Sequence, residues 1–77
     1  MYRLSQLNIN DTAEVIQISA GPEITRRMAD LGIISGTKLQ CVLKRKFGGI
    51  AAYSIRGSTV AFRNDDAESI TVKKVIR

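Results

Sequence analysis

Histidine is missing from this chain, and cysteine occurs once, as Cys41. The first absence removes the commonest ligand for zinc and other transition metals, together with the base of thiol–histidine catalysis. A single thiol forms no internal disulfide, and Cys41 is most simply a small core residue. No apolar run approaches the length of a membrane span, and residues 1–7 lack the long apolar core of a secretory signal. A cytosolic protein is therefore the expectation, peripheral at most to the inner face of a plasma membrane. No nucleophile elbow occurs, and Gly48-Gly49 is not followed by the Lys-Ser/Thr of a phosphate-cradling loop. No enzymatic reading survives these gaps, and no cofactor is expected.

What is present describes one small folded domain. A chain of 77 residues, 44% hydrophobic and without a low-complexity run, has room for one core and no second domain. Net stability on the usual per-residue figure is roughly 4 to 12 kcal/mol, so each core side chain matters. Twelve basic residues against seven acidic ones give a charge of +5, which suits nucleic acid, an acidic protein or an anionic membrane surface equally.

The sharpest punctuation lies between Gly21 and Gly36. Pro22 suits the first helical position and Glu23 the positive end of the helix dipole, so a helix over residues 22–31 is predicted. Ile24, Met28 and Leu31 share its apolar face, and Thr25, Arg26 and Asp30 are left to solvent. Gly32 ends the helix in the left-handed conformation, which sets Ile33 against Met28 in a Schellman cap. Before this helix, Leu4 and Leu7 are spaced to lay two side chains across an open end of the core. Asn10-Asp11 is a turn, and residues 13–18 read as a strand on which Ile16 and Ile18 share a side.

After the helix, Gly36 permits a type II turn, and Leu39, Cys41 and Leu43 alternate inward along a strand at 38–44. Lys44-Arg45-Lys46 leads into a glycine hairpin loop at Phe47-Gly48-Gly49. A second hairpin turns at Gly57-Ser58. Counting back from that turn pairs Tyr53 with Phe62 and Ile55 with Val60, all four on one face. Asn64 or Asp65 caps a single helical turn, in which Asp65 and Glu68 have capping-box spacing, and Ile70 and Val72 begin a last strand. Five short strands with one inserted helix must close most of the sheet on itself. The fold class is thus mainly β, a small, partly open barrel.

The order of these motifs resembles the ferrous iron transport protein A (FeoA) family over nearly the whole chain. The resemblance rests on Leu4 and Leu7, on Arg26-Arg27-Met28 with Leu31-Gly32-Ile33, and on Gly36-Thr37. It continues through Tyr53, Arg56-Gly57, Val60-Ala61-Phe62-Arg63, Ala67, Ile70 and Val72. Departures fall at Asn10-Asp11, at Ser35 and at Phe47-Gly48-Gly49. The resemblance implies an SH3-like barrel and a cytosolic accessory role beside a ferrous-iron membrane permease that carries a G-protein domain. Metal-dependent repressors carry a similar barrel as their C-terminal domain, and the DNA-binding part of those proteins has no counterpart in these residues.

Candidate partner-binding residues are Arg26, Arg27 and Asp30 on the helix and the run Lys44-Arg45-Lys46. Each set has an ordinary alternative, a solvated helix face with a Glu23–Arg27 pair in the first case and a solvated loop in the second. Asp65, Asp66 and Glu68 are hard oxygen donors, but their clustering is accounted for by the capped turn, and no metal site is assigned. The preferred function is a protein-interaction accessory docking on the permease; the alternative is a small basic nucleic-acid-binding barrel or a stand-alone relative of the SH3-like domain of the metal-dependent repressors. The hairpin register turns Tyr53 and Phe62 toward the core, where they cannot stack on bases, so the first is preferred. Oligomeric state is left open.

Overall fold

The computed structural model describes residues 1–45 and 49–75. Lys46, Phe47 and Gly48, and with them most of the expected basic loop, lie outside the described residues. The elements in order are β1 (Tyr2–Arg3), a 3-10 turn (Leu4–Gln6), β2 (Thr12–Ile18), α1 (Pro22–Asp30) and β3 (Lys38–Lys44). They are followed by β4 (Ile50–Ile55), β5 (Ser58–Arg63), the short α2 (Asn64–Ala67) and β6 (Ile70–Lys74). The six strands form one antiparallel sheet in the order β1-β6-β2-β3-β4-β5, which curls around the core without closing among the described residues. The strand beyond the expected five is the two-residue β1, too short to carry a periodic signal.

α1 begins and ends where its punctuation places it. Pro22 opens it, and Gly32 follows at φ +91°. The Ile33 N–H donates to Met28 O at 2.8 Å and the Gly32 N–H to Ala29 O at 2.9 Å, the two bonds of a Schellman motif. Ile33 and Met28 are both in the core, and Ile24 packs beside them. Leu31, predicted on that face, is 41% exposed. Leu31 is the C-cap, still in the right-handed helical region with its N–H bonded to Arg27 O, but it stands at the helix end, where its side chain is open to solvent. Gly36, at φ +94°, then makes the predicted turn, closed by the Thr37 N–H to Ile34 O.

Two strands depart from simple alternation. A register shift between Val15 and Gln17 interrupts β2, so Ala13 and Val15 face the core, Ile16 is half-buried and Ile18 packs against the core from beyond the shift. A second shift, between Cys41 and Leu43, leaves Leu39 and Cys41 buried but turns Leu43 outward, 50% exposed. An extra residue in one strand re-phases every side chain beyond it, which a period of two cannot anticipate.

The last hairpin turns at Arg56-Gly57, both at positive φ, with Ile55 opposite Ser58 and Tyr53 opposite Val60. The expected turn at Gly57-Ser58 is therefore one residue late, because Arg56 adopts the left-handed conformation that a type I′ turn needs. Each cross-strand partner is displaced by two, which preserves the face. Tyr53, Ile55 and Phe62 are buried and Val60 packs against the core. α2 forms as expected, but its N-cap is Arg63, without a side-chain cap bond. Glu68 instead accepts from Arg3 Nη1 at 2.9 Å and Ser5 Oγ at 3.0 Å, tying the N-terminus to the turn after α2.

Leu4 and Leu7 are fully buried, closing one end of the core as the spacing predicted. Tyr53, buried beneath them, donates through its hydroxyl to Leu4 O at 3.4 Å, and burial pushes its pKa up to about 12.

Two stability outcomes follow from this architecture. A Cβ on Gly32 would meet nothing within 4 Å, so the penalty of Gly32→Val is conformational. It should cost at least about 1–2 kcal/mol in chemical unfolding, whereas Gly21→Ala, in open space at φ −61°, should cost a few tenths. Hydrogen bonds from Arg3 and then Ser5 hold the Glu68 carboxyl below its ordinary range. Its stabilisation is therefore complete above the unfolded-state pKa and disappears as pH falls through the lower folded-state value. The stability gap between wild type and Glu68→Gln should shrink from about pH 5 to about pH 3 in parallel urea titrations.

Candidate functional site

The charged residues selected from the sequence are not equivalent in space. Arg26, Arg27 and Asp30 all lie exposed on α1. No Glu23–Arg27 ion pair forms. Among the described residues the ion pairs are Arg3–Glu68 and Lys74–Asp11. Lys44 is half-buried, and its ammonium donates to Ser5 O at 3.0 Å and Leu7 O at 2.9 Å. Its long stem reaches back under the N-terminal turn, so the charge pins the lid that Leu4 and Leu7 form. Arg45 is exposed and closes the β3–β4 connection through its backbone N–H to Ile50 O, and Lys46 lies outside the described residues.

Arg27 is the candidate that lines a groove. This opening, about 630 Å³, runs between α1 and the outer strand β5. Arg27 and Leu31 contribute from the helix, Ala61 and Arg63 from β5, Ile50 from β4, and Asp65 and Asp66 from α2. Leu31 and Ile50 are 41% and 42% exposed, so apolar surface is offered to solvent between charged rims. Arg27, Arg63, Asp65 and Asp66 enter no ion pair among the described residues. The site therefore combines apolar area with free charges of both signs, the composition of a docking groove.

The sequence reading did not select Leu31, Ile50, Ala61 or Arg63. Leu31 had been assigned to the core, and nothing local announces that Ile50 and Arg63, opposite each other in β4 and β5, share the groove with a helix far earlier in the chain.

Catalytic and metal chemistry find little support in this geometry. Among the described residues no three His, Cys, Asp or Glu side chains gather at a spacing that could hold a metal ion. Cys41 is buried, and desolvation raises its thiol pKa, which disfavours the reactive thiolate. No helix is long and apolar enough to cross a membrane.

An open, curled antiparallel sheet with one inserted helix and a groove between that helix and the outer strand defines a small SH3-like module. The FeoA domain pattern matches residues 2–74, and the chain belongs to that family. The solution structure of the FeoA protein from Chlorobium tepidum is similar, with 33% identity over 97% of this chain and 71% of that one and a TM-score of 0.90. A FeoA-like protein from Clostridium acetobutylicum shares 26% identity over all of this chain and 93% of its own, with a TM-score of 0.85. A manganese-dependent transcriptional repressor in complex with manganese aligns at 30% identity over 96% of this chain but 36% of its own length, with a TM-score of 0.90. Among curated protein sequences none matches significantly.

Lys44 has a structural role that can be measured. Lys44→Met should cost about 1.5–3 kcal/mol in equilibrium unfolding, because two part-buried bonds from a charged donor to the Ser5 and Leu7 carbonyls are lost, and Lys44→Arg should recover part of it.

Proposed function

We propose that this protein is a non-catalytic accessory of ferrous-iron uptake. It docks on the cytosolic part of the ferrous-iron permease through the face of α1 that carries Arg27. The observation that carries this reading is the groove, where an arginine that forms no ion pair among the described residues stands on α1 beside the exposed Leu31 and Ile50. Family membership supports the iron-uptake pathway and the choice of partner. A guanidinium offers bidentate hydrogen bonds to a carboxylate, and on a helix it loses less freedom on docking than it would on a loop. Arg26 and Asp30 extend this surface along α1, and the exposed Arg45 adds basic charge in the β3–β4 connection. Lys44 serves the fold.

The nucleic-acid alternative has less support. Tyr53 and Phe62 are 1% and 6% exposed, with their rings 5.9 Å apart inside the core, where no base can reach them. The charge of +5 remains suited to an acidic protein surface.

Arg27→Glu should leave the unfolding midpoint nearly unchanged, since the side chain makes no ion pair in the fold, while weakening association by about tenfold or more. Binding should also fall as salt rises. Titration of both proteins against the isolated cytosolic domain and against the permease in detergent measures this. Equal affinities would reject the surface, and no binding to either preparation would reject the docking reading.

A further inference from the structure

The groove lies against an edge of the sheet with which, among the described residues, no further strand pairs. β5 is a terminal strand, paired on one side with β4. Its pairing runs without a register shift from Ile55–Ser58 to Ile50–Arg63. In an antiparallel pair each residue directs both its N–H and its C=O either toward its partner strand or away from it, in alternation. The phase is fixed at both ends. Ile55 and Ser58 close a two-residue turn, which makes them a hydrogen-bonded pair, and at the far end the Asn64 N–H donates to Gly49 O at 2.6 Å. Ser58, Val60 and Phe62 therefore point their main-chain groups at β4, and Thr59, Ala61 and Arg63 point theirs outward. The Arg63 carbonyl, as the N-cap of α2, takes the first bond of that helix, and among the described residues no other hydrogen bond reaches the outward groups of Thr59 and Ala61 or the Arg63 N–H.

Sheet edges are ordinarily blunted by brevity, proline, bulges, inward charges or a covering element. β1, at the opposite edge, has two residues. β5 has six, without proline or a bulge, and the side chains flanking its outward groups include the small Thr59 and Ala61. Ala61 and Arg63 also line the groove, with Arg27 and Leu31 standing opposite on α1.

We propose that β5 takes up an extended, acidic segment of the partner as an added strand. This inference rests on the docking reading and names how the docking is made. Main-chain hydrogen bonds to Thr59, Ala61 and Arg63 supply register, alternate apolar side chains cover Leu31 and Ile50, and a carboxylate reaches Arg27 or Arg63. Asp65 and Asp66, at the α2 end, favour a basic residue there. A second copy of this chain is the weaker occupant, because two molecules of charge +5 repel and the edge offers only three outward-facing residues.

Ala61→Pro tests the strand directly. It deletes an outward N–H at an edge position where proline is tolerated, and leaves the bonds to β4 in place. Against the permease's isolated cytosolic domain it should bind about tenfold more weakly or worse, with an unchanged unfolding midpoint. If the variant does not fold, amide exchange in the wild type decides: the Thr59, Ala61 and Arg63 amides should exchange freely alone and slow by about tenfold or more in the saturated complex. Unchanged affinity of folded Ala61→Pro, or unprotected edge amides at saturation, overturns strand addition and leaves the docking reading standing. Protection of these amides in a concentration-dependent dimer without the permease domain would make a second copy the occupant and overturn the proposal. Failure of the wild type to bind either permease preparation overturns both.

Discussion

Closure of the core by Leu4 and Leu7 is the constraint on which the rest of the fold depends. Six short strands curled into one sheet, with the outer strands unpaired to each other among the described residues, leave an end through which water would reach the buried apolar core. Two leucines on a single 3-10 turn fill that end, and such a turn holds no position by itself. It is held by charge and by hydrogen bonds from three directions. Lys44 donates to two carbonyls from below, Tyr53 reaches Leu4 from the core, and Glu68 grips Arg3 and Ser5 from the turn after α2. Each partner comes from a different part of the chain, so the lid closes only once β3, β4 and the α2 region are in place.

This closure explains why the basic residues of the sequence separate into two groups. Lys44 and Arg26 look alike in a list of charges, yet one ammonium is half-buried against carbonyls and the other side chain is solvated. A long aliphatic stem lets lysine bury its length and still deliver a charge to main-chain oxygens. Composition and spacing cannot report that use, because the acceptors, Ser5 and Leu7, lie almost forty residues earlier.

What the sequence disclosed follows the same division between local and distant causes. α1, its proline start, its glycine stop and the turn at Gly36 were legible because each depends on conformational preferences within a few residues. The core face of the last hairpin was legible despite a misplaced turn, since a two-residue displacement of partners leaves side-chain parity intact. Leu43 and Leu31 were assigned less well, the first because of a register shift and the second because its place at the helix end leaves it open to solvent. Of the groove, Arg27 could be selected from its helix face. Ile50, Ala61 and Arg63 could not, because the groove exists only where the strand order brings β5 beside α1.

Strand order also separates what the sheet needs for stability from what it exposes to other molecules. Along β2, β3, β4 and β6 both edges are paired within the molecule, so a backbone change there disturbs the fold. β5 differs, because every second residue turns its main-chain groups away from the only strand it pairs with. Those groups add nothing to internal pairing, and they stand beside Leu31 and Ile50, apolar side chains that the core does not use. Burying those two side chains would supply a hydrophobic contribution on top of the main-chain bonds. Arginines on both walls bias an arriving segment toward carboxylates. A domain with a small core can thus keep stability and recognition on different elements. The lid and inner strands hold the barrel, while the long β5 edge, unpaired on its outer side among the described residues, is the part that the proposed docking would use.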